Sequence, residues 1–152
     1  MSQTIGFLGG SFDPIHFGHI GLAIQLMESH QLSKVIFCPA FCSPFKLETP
    51  PSASPKHRLH MLKLALDHPA FEICTLELDR KGPSYTIDTI RALEQQGFKL
   101  RLLLSDESAQ NLHRWKETEH IVKSAPPLSG PREFKISSTE IRNRLKKKLY
   151  CG

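Results

Sequence analysis

The chain has 152 residues, 39% hydrophobic and 23% charged, which is enough apolar content for a buried core and too much for a disordered protein. It has no run of about 18 apolar residues and no charged-then-apolar leader pattern, so a single cytoplasmic domain over residues 1–152 is expected. A formal charge of +5 favours anionic partners.

Ile5-Gly6-Phe7-Leu8 reads as a buried strand, and Phe17, Ile20, Ile24 and Met27 as one face of a helix. Between them lies Gly9-Gly10-Ser11-Phe12-Asp13-Pro14-Ile15-His16. Strand, tight loop and helix is a layout that brings backbone close to phosphate. Gly9 and Gly10 are expected to take positive φ and to admit a ligand without a Cβ in the way. Ser11 can donate to a phosphate oxygen. With a helix starting near Phe17, His16 and His19 share an edge of its first turn above Gly18, and two imidazoles there suit an anion.

Lys34 to Cys38 reads as a second strand, ended by Pro39 and followed by a loop from Ala40 to Ser54. Ser54 and Pro55 offer an N-cap and an N1 proline. They open a helix marked by Leu59, Leu62 and Leu66 and closed by Pro69. Phe71 to Cys74 is the third strand. Gly82-Pro83-Ser84 precedes a helix carrying Ile87, Ile90 and Leu93, which Gln96-Gly97 ends, and Leu100 to Leu104 is the fourth strand.

Glu107 to Ser124 is predicted helical, with Trp115 near the middle or at a break. Ala125 to Glu133 is predicted to be a turn-rich connector. Ser137 and Glu140 then fit a capping box, and Ile136 and Ile141 a hydrophobic staple. The first-turn amides at Ser138 and Thr139, with Arg142 one turn on, suit a second anion contact. Arg142 to Lys148 holds five basic residues and no acid, a solvated face or a phosphate-facing one.

The four cysteines, Cys38, Cys42, Cys74 and Cys151, lack a zinc-type spacing and read as reduced thiols, mostly core filler. No metal site built from protein ligands is expected. The strand–helix alternation predicts an α/β fold, a Rossmann-like three-layer sandwich with a central parallel sheet. Ligands of such sheets bind beyond the strand carboxyl ends. The first loop, the segment Pro39 to Lys46 and the residues from Ser105 onward should meet there.

Four segments together resemble the nicotinate-mononucleotide adenylyltransferases, a branch of the nucleotidyltransferase superfamily. They are Gly9 to His19; Pro39, Pro44-Phe45-Lys46 and Arg58-Leu59-His60-Met61-Leu62; Pro83-Ser84-Tyr85-Thr86 with Thr89; and Ile136 to Arg142. Trp115 stands where that family has a tryptophan that stacks on a pyridine ring. The resemblance covers about residues 4 to 145.

It implies transfer of AMP from ATP to nicotinate mononucleotide, giving deamido-NAD and pyrophosphate, with Mg²⁺ carried by the phosphates. Catalytic roles would fall on His16, His19 and Arg142. ATP contacts would fall on Gly9, Gly10, Ser11, Phe12, Gly18, Ser105, Glu107, Ile136, Ser137 and Ser138. Substrate contacts would come from Lys46, Thr86 and Trp115, with Tyr85 beside them as packing or contact.

The chain also departs from the family pattern. Ser105-Asp106-Glu107 replaces G-x-D, with Glu107 aligned to the aspartate and Asp106 as an alternative. Phe45 replaces a histidine, and the segment before Ile136 is short, as in a shortened form of the family. Other readings stay open: the amidated mononucleotide or phosphopantetheine as acceptor, or a nucleotide-binding module without turnover. Small-molecule nucleotides are the expected partners and no membrane is. A homo-oligomer is left open, and nucleic acid is disfavoured because the basic tail has little aromatic content beyond Tyr150.

Overall fold

A computed structural model describes residues 3–45, 48 and 51–131. The expectations placed on Lys46, Ile136, Ser137, Ser138, Glu140 and Arg142 lie outside the described residues.

Five strands form one sheet: β1 (Thr4–Gly10), β2 (Lys34–Pro39), β3 (Phe71–Ile73), β4 (Lys99–Ser105) and β5 (Leu128–Gly130). Their order is β3-β2-β1-β4-β5, and every pairing is parallel. Apolar side chains alternate between the two faces of the strands. Val35 and Phe37 face α1 (Phe17–Ser29) and α2 (Pro55–Ala65), packing with Leu22, Leu26 and Leu62. Ile36, Leu100, Leu102 and Leu104 face the other way, onto Ile87 and Ile90 of α4 (Thr86–Gln95) and Ile121 of α6 (Thr118–Ser124). The molecule is therefore the predicted three-layer sandwich. Gly6 sits where the layers close up, since a Cβ there would stand 2.8 Å from Leu103 Cδ1.

The chain order of the strands reverses direction between β1 and β4. A crevice opens outside their carboxyl ends at such a point, and the loops after both strands border it. Ser54 caps α2 as predicted, its hydroxyl accepting from His57 N at 3.2 Å, with Pro55 as the first helical residue.

Three local expectations need correction and one helix is added. Glu107 to Ser124 is not one helix but α5 (Asp106–Gln110), a 3₁₀ turn (Leu112–Arg114) and α6. A continuous helix would put Trp115 on the same stripe as buried Leu112, three residues apart. The left-handed Glu117 (φ 51°) breaks the path and leaves Trp115 extended. The connector after Ala125 contains β5, whose Leu128 and Gly130 are buried beside β4. A short helix, α3 (Leu76–Arg80), follows β3. Finally, Gly9 and Gly10 are extended members of β1, and positive φ falls on Phe12 (φ 45°).

Candidate active site

A cleft of about 880 Å³ lies at the switch point, bordered by the loops after β1, β2 and β4 and by the start of α4. Its first wall is the β1–α1 turn. His16 is the N-cap of α1 and Phe17 its first residue. The Nδ1 of His16 accepts from Gly18 N at 3.0 Å, and the Nδ1 of His19 accepts from His16 N at 3.1 Å. The three-residue spacing is thus that of a capping box, with imidazoles in place of the usual Ser/Thr and Glu/Gln pair.

An acceptor Nδ1 carries no proton, so each neutral ring holds its hydrogen on Nε2. The two rings stack at 3.9 Å between centroids. Phe12, buried with φ 45°, meets His19 edge-on at 4.9 Å and supports it from behind. Backbone hydrogen bonds and an aromatic backstop therefore fix both imidazoles without help from a ligand. Gly18 contributes its amide to His16 and is not on the cleft wall, whereas Gly9, Gly10, Ser11, Phe12, His16 and His19 are.

A second part of the lining is built from two stretches. Tyr85 occupies the N-cap position of α4 and Thr86 its first turn, and both line the cleft with Trp115. The Lys116 ammonium sits 4.6 Å from the Tyr85 ring centroid, and the Arg114 guanidinium 5.4 Å from that of exposed Phe45. Cations over aromatic faces hold those rings at modest energy.

At the β4 end, Ser105 caps α5 by accepting from Ser108 N at 3.2 Å and also reaches the cleft. Glu107 lines the cleft, whereas exposed Asp106 does not. Of the sequence candidates, Lys46, Ile136, Ser137, Ser138 and Arg142 lie outside the described residues. The rest, apart from Gly18, meet in one cavity.

Three further residues shape this cavity; Arg58 and Asp13 stood within the segments that carry the family resemblance but had no role assigned, and Glu77 had not stood out. Arg58 is 1% exposed. It donates to Ser11 O (2.8 Å), Ala40 O (2.6 Å), Phe41 O (3.2 Å) and Ala53 O (3.2 Å). It ties the turn after β1 to the loop after β2 and to the entry of α2. Burial lowers its pKa from the ordinary value, and the Asp13 carboxylate works against that shift.

Asp13 accepts from Ser52 N at 2.7 Å and Ala53 N at 2.9 Å, pinning the same turn from outside. Glu77, 4% exposed, borders the cleft and accepts from the Thr89 hydroxyl at 2.7 Å. Burial pushes its carboxyl above the usual range, opposed by hydrogen bonds from Thr89, Cys38 and Ser84 and by the charge of Arg80. Arg58 and Glu77 lie in stretches whose pattern also fits ordinary surface charge, and only tertiary packing shows otherwise.

The family model for cytidylyltransferase-like proteins matches residues 7–144. The chain belongs to this family. Among its relatives within the family is a Roseiflexus sp. protein named "Probable nicotinate-nucleotide adenylyltransferase", 43% identical over 126 residues, covering 82% of this chain and 63% of that protein. A Dictyoglomus thermophilum protein of the same name is 40% identical over 147 residues, covering 95% of this chain and 74% of that protein. The fold also matches the solved Plasmodium falciparum nicotinic acid mononucleotide adenylyltransferase complexed with NaAD. There the TM-score is 0.71 at 18% identity, covering 97% of this chain and 86% of that one.

Proposed function

We propose that this chain transfers the adenylyl group of ATP to the phosphate of nicotinate mononucleotide, forming deamido-NAD and pyrophosphate. The observation that carries this reading is the convergence of two sets of residues on one cavity. A locked imidazole pair over the start of α1 shares one cleft with Trp115, Tyr85 and Thr86. The names of the relatives supply the acceptor.

An oxygen of the mononucleotide phosphate attacks the α-phosphorus in line, and the bond from that phosphorus to the bridging oxygen breaks. A phosphate monoester has a second pKa near ~6, so this nucleophile is already largely ionised and needs no general base. The protein supplies position and charge stabilisation. The Nε2 hydrogens of His16 and His19 donate to the α-phosphoryl oxygens, which gain negative charge in the transition state.

Gly9 and Gly10 let the phosphates approach the backbone, and Ser11 donates to them. Ser105 and Glu107 hold the adenosine ribose. Trp115 stacks on the pyridine ring while Thr86 and the start of α4 receive its carboxylate. Lys46 would contact the mononucleotide phosphate. Ser138 and Arg142 would hold the leaving pyrophosphate, with Ile136 and Ser137 as further ATP contacts. ATP enters as its magnesium complex, the ion held by phosphate oxygens and water. Among the described residues no three His, Cys, Asp or Glu side chains form a metal cluster.

Pyrophosphate release, measured with ATP and each of nicotinate mononucleotide, nicotinamide mononucleotide and phosphopantetheine, tests the proposal. Release should be fastest with the nicotinate form. A faster rate with another acceptor would reassign the substrate, and ATP binding without release from any would mark a binding module.

A further inference from the structure

Cys38 and Cys74 belong to neighbouring strands. β2 and β3 pair as Val35 with Phe71, Ile36 with Glu72 and Phe37 with Ile73. Cys74 N donates to Phe37 O at 2.9 Å, so the ladder runs one residue beyond β3 and brings Cys38 and Cys74 to the next register position. Both side chains lie on the face that packs against Ile87 and Ile90. Adjacent strands stand roughly 4.8 Å apart, inside the span of about 4.4–6.8 Å between Cα atoms that a disulfide bridges. Cys38 is fully buried and Cys74 half-buried, so a small reagent reaches Cys74 first.

The surroundings pull the two thiols apart, although the charge of Glu77 raises both. A hydrogen bond from the Cys38 thiol brings the Cys74 pKa down to about 7, with the Leu76 amide and the charge of Arg80 assisting against burial. The Cys38 thiol is pushed up by its hydrogen bond to Cys74, by burial and by the charge of Glu77. A thiolate at the accessible position beside a protonated buried thiol is the arrangement of an attacking and a resolving cysteine.

We propose that Cys38 and Cys74 form a dithiol site that hydrogen peroxide oxidises to an intramolecular disulfide. The Cys74 thiolate attacks one peroxide oxygen, the O–O bond breaks, and hydroxide leaves a sulfenic acid on Cys74. The Cys38 sulfur then attacks the sulfenic sulfur; the S–S bond forms, the S–O bond breaks, and the departing hydroxide takes the Cys38 proton as water. The two sulfurs together lose two electrons; peroxide is reduced to one water and the first hydroxide, which becomes the second water by taking up the proton that Cys74 released on ionising.

Peroxide treatment of the full chain, alkylation of the remaining thiols and non-reducing peptide mapping test this. The expected product is a Cys38 peptide joined to a Cys74 peptide, two hydrogens lighter than the separate pair and parted by dithiothreitol. A cross-link through Cys42 or Cys151 instead would overturn the proposal. So would over-oxidised Cys74 beside an alkylated Cys38, or both thiols remaining alkylatable. In Cys38→Ser the reaction should stop at a Cys74 sulfenic acid that dimedone labels, with that label lost in the wild-type chain. An unlabelled Cys74 in a folded Cys38→Ser protein contradicts the order of attack.

Discussion

The two walls of the cleft are built in opposite ways. In the β1–α1 turn, the bonds that aim His16 and His19 span two and three residues. At Trp115 the backbone N–H donates to Leu112 O at 3.0 Å, and the segment that follows is held by bonds that reach much farther. Arg91 grips Glu117 at 2.8 and 3.2 Å across 26 positions, and Arg101 holds Pro126 O at 2.7 Å across 25. The imidazoles are aimed within their own turn, although Arg58 and Asp13 tie that turn to segments 39 to 47 positions away. Locally aimed donors therefore share one cleft with a ring platform whose flank is held by longer-range contacts, a division that suits one fixed reacting phosphate and one selectable acceptor.

The contrast breaks most directly at His19. His19→Ala should lower turnover by about 10²- to 10³-fold, the scale of losing one preorganised donor to developing charge. Circular dichroism should stay unchanged, because the neighbouring bonds of α1 remain. Pyrophosphate release at saturating substrates reads the effect, and full turnover in a folded variant would remove the role.

Arg58→Met probes the strut behind that turn. It deletes hydrogen bonds to four backbone carbonyls in three segments. Leaving buried acceptors unsatisfied costs about 1–3 kcal/mol each before relaxation, so a loss of about 2–3 kcal/mol in urea unfolding is expected. An unchanged midpoint would show that the segments hold themselves.

Trp115→Ala sharpens the difference between the walls. It should raise the KM for the mononucleotide by about 10-fold, in line with the 1–3 kcal/mol of base–aromatic stacking, and leave the KM for ATP nearly unchanged. Equal losses for both substrates would count against ring stacking.

The smallest effect is expected at Glu77. Its carboxyl is raised in the folded state, so the native chain binds a proton that the unfolded chain has released. Stability from this group is present below the ordinary carboxylate pKa and is lost as pH rises through the raised one. Glu77→Gln should remove that decline, so its stability relative to wild type grows as pH rises through this interval. Parallel stability curves for the two proteins would contradict the assignment.

This same contrast explains what the sequence disclosed. Every central strand, the Ser54-Pro55 helix start and the histidine turn rest on periodicity or on caps within a few residues, and all were legible. A break near Trp115 was one of two readings, but its position at Glu117 and the strand Leu128–Gly130 were not legible. Glutamate does not favour a left-handed backbone, and three residues carry too little alternation to announce a strand. The glycines were misread in part, because a G-G pair fits both a turn and a strand end that a ligand approaches. At the site, histidines and aromatics stood out by motif. Arg58 stood out only as a member of a motif segment, and its burial against backbone carbonyls became visible with the fold.

Nitrogen-15 NMR of the imidazole rings in the unliganded chain reads the preorganisation most directly. Both His16 and His19 should carry their proton on Nε2, with Nδ1 showing the shift of a hydrogen-bonded acceptor. A proton found on Nδ1 of either ring would contradict it.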